Sequence, residues 1–390
     1  MSDIGERLRI VRQRRGLTQQ ELARHSTVSL SLVRKVEQGD YGDTRLETVR
    51  KLAVALRVPT SSLLHAPEPE TQNAGIEWEA LKQALWSPPA DAIDEAPTID
   101  GVAQALNAAM PLFATNAFTE LAMVLPALLR DADAVVAVDP TAGRSVRARL
   151  LHLTGWLLTQ TRHYDTAQHA LERALDDAPD HLVGAAAANT MCWVMLRRGD
   201  IDGARALAIR WADDVEPRIS RASREELAAW GWMLLRVSAA AMRDNRDGEA
   251  QSAMRLAQSA AAALGREYAQ RDDIVHTFGP VTVALKTTEN AMVADKPDSV
   301  LALAETVPFD SGQRATSSNI NRHLLDVACA YARTKRTPEA VGILSGIGRT
   351  SPQWLKNQRF ARDIVTTIIG RRRTLTTEMR ALADAVGVPL

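Results

Sequence analysis

The sequence predicts an all-α protein in two parts: a compact head of five short helices, then a long array of helical hairpins. Three observations carry this. The composition suits helix: 46% hydrophobic, only 4% aromatic, rich in Ala, Leu and Arg, with few β-branched runs. The first 65 residues hold short amphipathic segments punctuated by Gly16, Gly39 and Pro59. From residue 101 onward, apolar residues recur at helical spacing with breaks every 12–20 residues, and one stretch fits a two-helix repeat. A chain of 390 residues also exceeds what one compact core organises.

In the head, Ile4, Leu8 and Val11 space as one face of a first helix that Gly16 ends. Thr18 with Glu21 three residues later reads as a capping box opening the second helix, whose Leu22 and Ala23 face inward. After a break at Ser26-Thr27, a third helix runs from Ser29 to Gln38, burying Val33 and Val36. A fourth takes Leu46, Val49, Leu52, Ala53 and Leu56. Pro59 ends it, and Thr60 caps a last turn with Leu63 and Leu64.

The run LTQQELARHSTVSLSLVRKVEQG, followed by LETVRKLAVALRVPTSSLL, closely resembles the Cro/repressor-type (XRE-family) helix-turn-helix, over about 60 residues. The resemblance implies a third helix lying in the major groove of double-stranded DNA. Its groove face is then Ser29, Leu30, Ser31, Arg34 and Lys35. Arg34 and Lys35 are suited to guanine O6 and N7, and Leu30 to a thymine methyl. Gln19 corresponds to a phosphate-contacting position of the family. Arg12, Arg14, Arg15 and Arg45 are further candidates for backbone contacts. One such domain makes few contacts, so a homodimer on a pseudo-palindromic operator is expected. One departure stands out. The family usually has Gly at the turn between helices two and three, where φ is positive, and this chain has Thr27; a β-branched residue there costs about 1–2 kcal/mol. Either the turn is rearranged or its surroundings carry the strain.

The net charge is zero overall but unevenly spread. Residues 1–65 hold 12 basic and 7 acidic residues, net +5, whereas residues 66–100 hold one Lys and eight acidic residues, net −7. That asymmetry fits a nucleic-acid-binding head and an acidic, Pro-rich linker over 66–100. Within the linker, Ile76, Trp78, Leu81 and Trp86 predict one short helix. The preponderance of Arg (40, against 7 Lys) reflects genome composition more than nucleic acid. Cys192 and Cys329 sit in apolar helical patterns and read as buried free thiols. The N-terminus is charged and amphipathic, and no run of about 18 apolar residues occurs, so the expectation is a cytoplasmic protein without membrane contact.

Residues 148–179 fit the tetratricopeptide pattern: counted from Ala148, Gly155 falls at position 8, Tyr164 at 17, Ala167 at 20, Ala174 at 27 and Pro179 at 32. Laid on Ala204, Ala250 and Ala340 at position 20, the register puts Cys192, Ser238 and Ala328 at position 8, all small. Further pairs are expected at 101–130 and at 280–293 with 297–306, and capping helices near 355–369 and 375–386. Residues 101–390 thus predict a degenerate tetratricopeptide-like α-solenoid. The layout is similar to regulators common in actinobacteria and to the peptide-sensing quorum regulators of Gram-positive bacteria.

Stacked hairpins form a concave face lined by the first helix of each unit. Position 5 places His152 and Asn189 there, position 9 Trp156 and Trp193, and position 13 Gln160, Arg197, Arg243 and Arg333. The tryptophans suggest an apolar wall and the arginines a clamp for a carboxylate or phosphate. The expected effector is a small molecule or short peptide with an acidic end. A DNA-tethered adaptor whose repeats serve only oligomerisation or partner recruitment stays open. There is no Gly-rich phosphate loop, nucleophile elbow or metal-spaced His pair. His152, His163, His169 and His181 never stand three or four apart, so no metal, cofactor or enzymatic role is expected.

Overall fold

The computed structural model describes residues 4–39, 46–64, 76–86, 97–269, 273–309, 314–372 and 374–389. The head comprises α1 (Ile4–Arg14), α2 (Gln19–Ser26), α3 (Leu30–Glu37) and α4 (Leu46–Leu56), closed by a 3-10 turn at Thr60–Ser62. Its core is a single cluster in which Leu8, Leu22, Val33, Val36, Val49, Leu52, Leu56 and Leu63 are each 1% exposed or less. Full burial of each such side chain is worth about 1.5–3 kcal/mol, which is what holds helices this short together. The capping box is formed: Thr18 Oγ1 accepts from the Glu21 N–H at 3.2 Å, and Glu21 Oε2 accepts from the Thr18 N–H at 2.8 Å. The turn after α2 keeps its left-handed residue despite the side chain: Thr27 sits at φ 57°, ψ 22°, its hydroxyl donating to Ser26 O at 2.7 Å. The next residue, Val28, is anchored in the head core. The surroundings therefore carry the strain, and the turn is not rearranged.

The helix predicted inside the linker exists as α5 (Ile76–Trp86), but it belongs to the body. Trp78, Leu81 and Leu85 are buried in the body's main apolar cluster, packed on α7 and α9. Domain packing thus begins near residue 76, ahead of the boundary expected at 101.

Six helical hairpins follow among the described residues: α6 (Ile99–Ala114) with α7 (Phe118–Val138), α8 (Pro140–Gln160) with α9 (Tyr164–Asp176), α10 (His181–Arg198) with α11 (Ile201–Asp214), α12 (Arg224–Arg243) with α13 (Asp247–Leu264), α14 (Pro280–Val293) with α15 (Pro297–Glu305), and α16 (Ser317–Arg333) with α17 (Thr337–Thr350). The small positions of the repeat register do the work expected of them. Gly155, Cys192, Ser238 and Ala328, with Ala167, Ala204, Ala250 and Ala340, are all buried. A Cβ on Gly155 would lie 2.5 Å from Leu171, and Ser238 Oγ donates across the hairpin to Ala250 O at 2.8 Å. The expected C-terminal cap is split at Gln358 into α18 (Pro352–Asn357) and α19 (Arg359–Ile369), followed by α20 (Thr377–Val386).

Two features are new. A two-stranded antiparallel ribbon, β1 (Tyr268–Ala269) with β2 (Thr277–Phe278), stands between α13 and α14 and drives Phe278 against Gly231, where a Cβ would meet the ring at 2.0 Å. The array also closes on itself. Asn116, between α6 and α7, donates to Ser317 Oγ at 3.1 Å and Ser351 Oγ at 3.3 Å, while the Thr119 N–H reaches Gln353 Oε1 at 2.9 Å. First and last hairpins therefore meet, and the first helices of the hairpins, α8, α10, α12, α14 and α16, line one central channel. Among the described residues no helix is long and apolar enough to cross a membrane.

Candidate functional site

On the head, the predicted groove face is open. Ser29, Ser31, Arg34 and Lys35 are exposed, and Leu30 is half-buried with one side against the head core. Ser29 also caps α3, its Oγ accepting from the Leu32 N–H at 3.3 Å and lying 3.1 Å from Ser31 Oγ. Arg14 is exposed. Arg45 lies outside the described residues.

Arg12 requires a correction. It is 9% exposed and serves as an internal strut, donating through Nε and Nη2 to Glu37 at 2.6 and 2.9 Å and through Nη1 to Leu17 O at 2.7 Å. The signal was in the sequence, since Arg12 follows Leu8 by one turn on the buried face of α1. Gln19 donates to the same carboxylate at 2.7 Å, which fixes the start of α2 against the end of α3. Burial alone would raise the Glu37 pKa. The bonds from Arg12 and Gln19 and the Arg12 charge outweigh it and hold the carboxyl below its usual range. Arg15 is exposed and donates to Arg57 O at 3.1 Å.

The head rests on the body by the side away from α3. Arg50 Nε donates to Met242 O at 3.0 Å. The Ser61 N–H and hydroxyl both donate to Asp244 Oδ1, at 3.0 and 2.9 Å, and Asn245 Nδ2 reaches Val58 O and Thr60 Oγ1 at 3.3 Å. Arg333 Nη2 pairs with Glu47 at 2.6 Å, and Lys51 with Asp295 at 3.3 Å. Leu46 and Leu64 pack with Leu196, Ile201, Ala204 and Ala240. Every body group in this list lies at or near the turn joining the two helices of a hairpin, so the head covers one end of the channel.

Beneath α4 lies a cavity of about 290 Å³. It brings together five of the seven predicted ligand residues: Trp156, Trp193, Arg197, Arg243 and Arg333, together with Gln160. Head residues Leu46, Glu47, Arg50 and Lys51 form one wall. Ten basic and four acidic side chains line it, an excess of six positive charges.

The three-arginine clamp does not form as expected. Arg243 is held by Glu289 at 2.6 Å, and Arg333 by Glu47 and Asp295. Of the three, Arg197 alone has no carboxylate partner among the described residues: it lies over the Trp193 ring at 5.6 Å and reaches Gln358 Oε1 at 3.4 Å. Trp156 is largely core, edge-on to Phe113 at 4.7 Å and to Phe118 at 5.9 Å.

His152 and Asn189 do not line the cavity, which corrects their assignment. His152 is 3% exposed and shares a hydrogen bond with Thr190 Oγ1 at 2.9 Å, and burial pushes its pKa down to about 4. Asn189 is 1% exposed and accepts from Arg236 Nε at 2.5 Å. Both belong to a polar floor with Asp273, whose carboxylate accepts from the His276 ring at 2.8 Å and from the Val275 and His276 N–H groups at 3.2 and 3.1 Å. The His152, Asp273 and His276 ligand atoms lie within 4.8 Å of one another.

Sequence reasoning missed Arg236, Lys286, Arg322 and Trp232. Trp232 and Arg322 sit at position 2 of the repeat register, on the first helices that line the concave face, so that signal was readable. Arg236 sits at position 6 and was not.

Residues 3–66 match a family described as helix-turn-helix domain. The head is a helix-turn-helix domain. Over 65 residues the chain is 38% identical to the HTH-type transcriptional repressor RghR of Bacillus subtilis (strain 168), covering 17% of this chain and 48% of that protein. Over 66 residues it is 39% identical to the uncharacterized HTH-type transcriptional regulator RghRB of the same organism, with the same two coverages. The chain spans about half the length of the curated relatives it matches. Among solved structures, Bacillus thuringiensis PlcR in complex with the peptide PapR7 and DNA shares 12% identity at a TM-score of 0.36, covering 78% of this chain and 95% of that one.

Proposed function

We propose that this protein is a DNA-binding transcription regulator that acts as a homodimer on a two-fold operator, and that its channel senses a small-molecule or short-peptide effector. The observation that carries the reading is the orientation of the head. Its third helix presents Ser29, Ser31, Arg34 and Lys35 to solvent, while its fourth helix walls a cationic cavity in the body. One rigid unit of about 60 residues thus has a nucleic-acid face on one side and an effector face on the other. Two such heads read half-sites about 34 Å apart, so an effector that tilts them alters the specific contacts. RghR is named a repressor, which favours repression as the mode of action here.

The test is selection of genomic fragments by the full-length protein at two salt concentrations, beside an Arg34→Ala/Lys35→Ala variant. Enrichment of a two-fold-symmetric site, weakened by salt and lost in the variant, is the expected result. Sequence-blind binding unaffected by the double substitution would sink the reading.

A further inference from the structure

Arg236 is the least expected charge in the molecule. It lies in the middle of α12, is 8% exposed, and has no carboxylate partner among the described residues. Its Nε is held by Asn189 at 2.5 Å, and its guanidinium lies over the Trp232 ring, 5.3 Å from the centroid. Stacking uses the flat face of the guanidinium, and the Asn189 bond uses one edge. The edge with the two terminal nitrogens remains, and those nitrogens make no hydrogen bond among the described residues, although Arg236 lines the cavity. Burial lowers its pKa to about 10, which leaves it a cation at neutral pH.

The neighbours sharpen the point. Lys286 lies over the same Trp232 ring at 5.8 Å, and Lys286 and Arg243 share one carboxylate, Glu289, at 3.0 and 2.6 Å. Arg322 is paired with Asp326 at 3.2 Å and lies over Phe360 at 4.8 Å. Glu289 and the floor carboxylate Asp273 act on Arg236 only at longer range, neither bonding to its terminal nitrogens, and a buried cation without a direct anionic partner is costly. An in-plane oxyanion is what the remaining edge of a stacked guanidinium accepts best. Around it, the half-buried Trp193 and Phe360 offer apolar surface.

We infer that the cavity seats an amphipathic organic anion, its carboxylate or phosphate on the terminal nitrogens of Arg236 and its apolar part against the aromatic rings of the channel. The inference rests on the effector-cavity reading above and names the chemistry of the effector. Arg197, stacked on Trp193 and likewise without a carboxylate partner among the described residues, is the second donor within the same cavity.

The test uses full-length protein and three probes of equal chain length: octanoate, octyl phosphate and the neutral octanamide, followed by calorimetry and by tryptophan emission. At least one of the two anions is expected to bind one per chain, and octanamide roughly 10-fold or more weaker, the loss expected for one charge-assisted contact. Which anion binds more tightly assigns the head group. Arg236→Gln is expected to lower affinity for the anion by the same factor. The comparison of octanoate and octyl phosphate with octanamide on wild-type protein stands even if that variant does not fold. Octanamide binding as tightly as the anions, no binding of either anion, or full affinity in a folded Arg236→Gln protein would each overturn the inference. Operator affinity measured with and without the bound anion separates the two levels: tight anion binding with unchanged operator affinity removes the sensor reading and leaves the anion seat in place.

Discussion

Replacing Glu37 by alanine cuts the strut that joins three helices of the head. The carboxylate has no exposed surface and accepts from Arg12 Nε at 2.6 Å, Arg12 Nη2 at 2.9 Å and Gln19 Nε2 at 2.7 Å. The substitution leaves the Arg12 side chain, 11% exposed, as a buried cation with only the Leu17 carbonyl to accept from it. Breaking one side of such a pair costs about 3–5 kcal/mol. At the usual ~0.05–0.15 kcal/mol per residue, a 60-residue domain has roughly 3–9 kcal/mol in all, so the head is expected to be largely unfolded or close to it. All eight tryptophans lie at residue 78 or beyond, so tryptophan emission reports on the body alone. Glu37→Ala should therefore lose operator binding and part of its far-UV helix signal while tryptophan emission stays put. Arg12→Met/Glu37→Met, which removes both charges at similar volume, should recover most of the loss. If Glu37→Ala melts within about 1 kcal/mol of wild type, or reads its operator unchanged, the strut is not what orders the head.

Thr27→Gly relieves the left-handed strain at an exposed position and should protect α2 and α3 amides from hydrogen exchange by about 1 kcal/mol; slower protection loss in wild type than in the variant would contradict this. Acid should weaken the body: burial pushes His152, His163 and His323 down to about 4, so the unfolded chain takes up protons near pH 6.5 while the folded chain does not. Their contribution is intact above pH 6.5 and is lost as pH falls from 6.5 towards 4, by up to roughly 3 kcal/mol for each ring. Asp326, pushed up to about 6 by burial, works the opposite way over the same window, because its folded form holds a proton the unfolded form releases. Urea unfolding at pH 7.5 and pH 5 should therefore show a net loss at pH 5, smaller in His163→Leu; a flat profile would refute the account.

Local patterns were legible and long-range pairings were not. The Thr18–Glu21 capping box and the small residues at the hairpin crossings depend on neighbours within one turn or one hairpin, and each stands where the spacing put it; at Thr27 the sequence left two outcomes open, and the structure keeps the left-handed turn. The arginines of position 13 show the limit. Their helix and register were readable, but Arg243 meets Glu289 46 residues away and Arg333 meets Glu47 286 residues away. No periodicity announces such partners. Arg236 was missed for a related reason, since it lies off the groove positions and is turned inward by Asn189. The seat of the head on the turns at Asp244, Asn245 and Asp295 likewise depends on how the superhelix closes, which follows from Asn116 meeting Ser317 and Ser351.

That seat has a thermodynamic consequence. The interface between head and body is a handful of hydrogen bonds and ion pairs with a small apolar patch around Leu46 and Leu64, polar in the manner of interfaces that permit domain motion. Glu47 and Lys51 belong both to that interface and to the cavity wall. A bound anion close enough to compete with Glu47 for Arg333 weakens the seat; one that also recruits Arg50 or Lys51 strengthens it. If the head takes a second position on the body, the coupling such an anion can exert is the difference in its affinity for the two. Coupling of about 1–3 kcal/mol is typical, comparable with one or two of the contacts holding the seat. On the proposed function, reciprocity would require that operator DNA change the affinity of the cavity for its anion by the same factor. Under that proposal the link would need no relay through the hairpins, because α4 walls the cavity and packs in the same head core as α3.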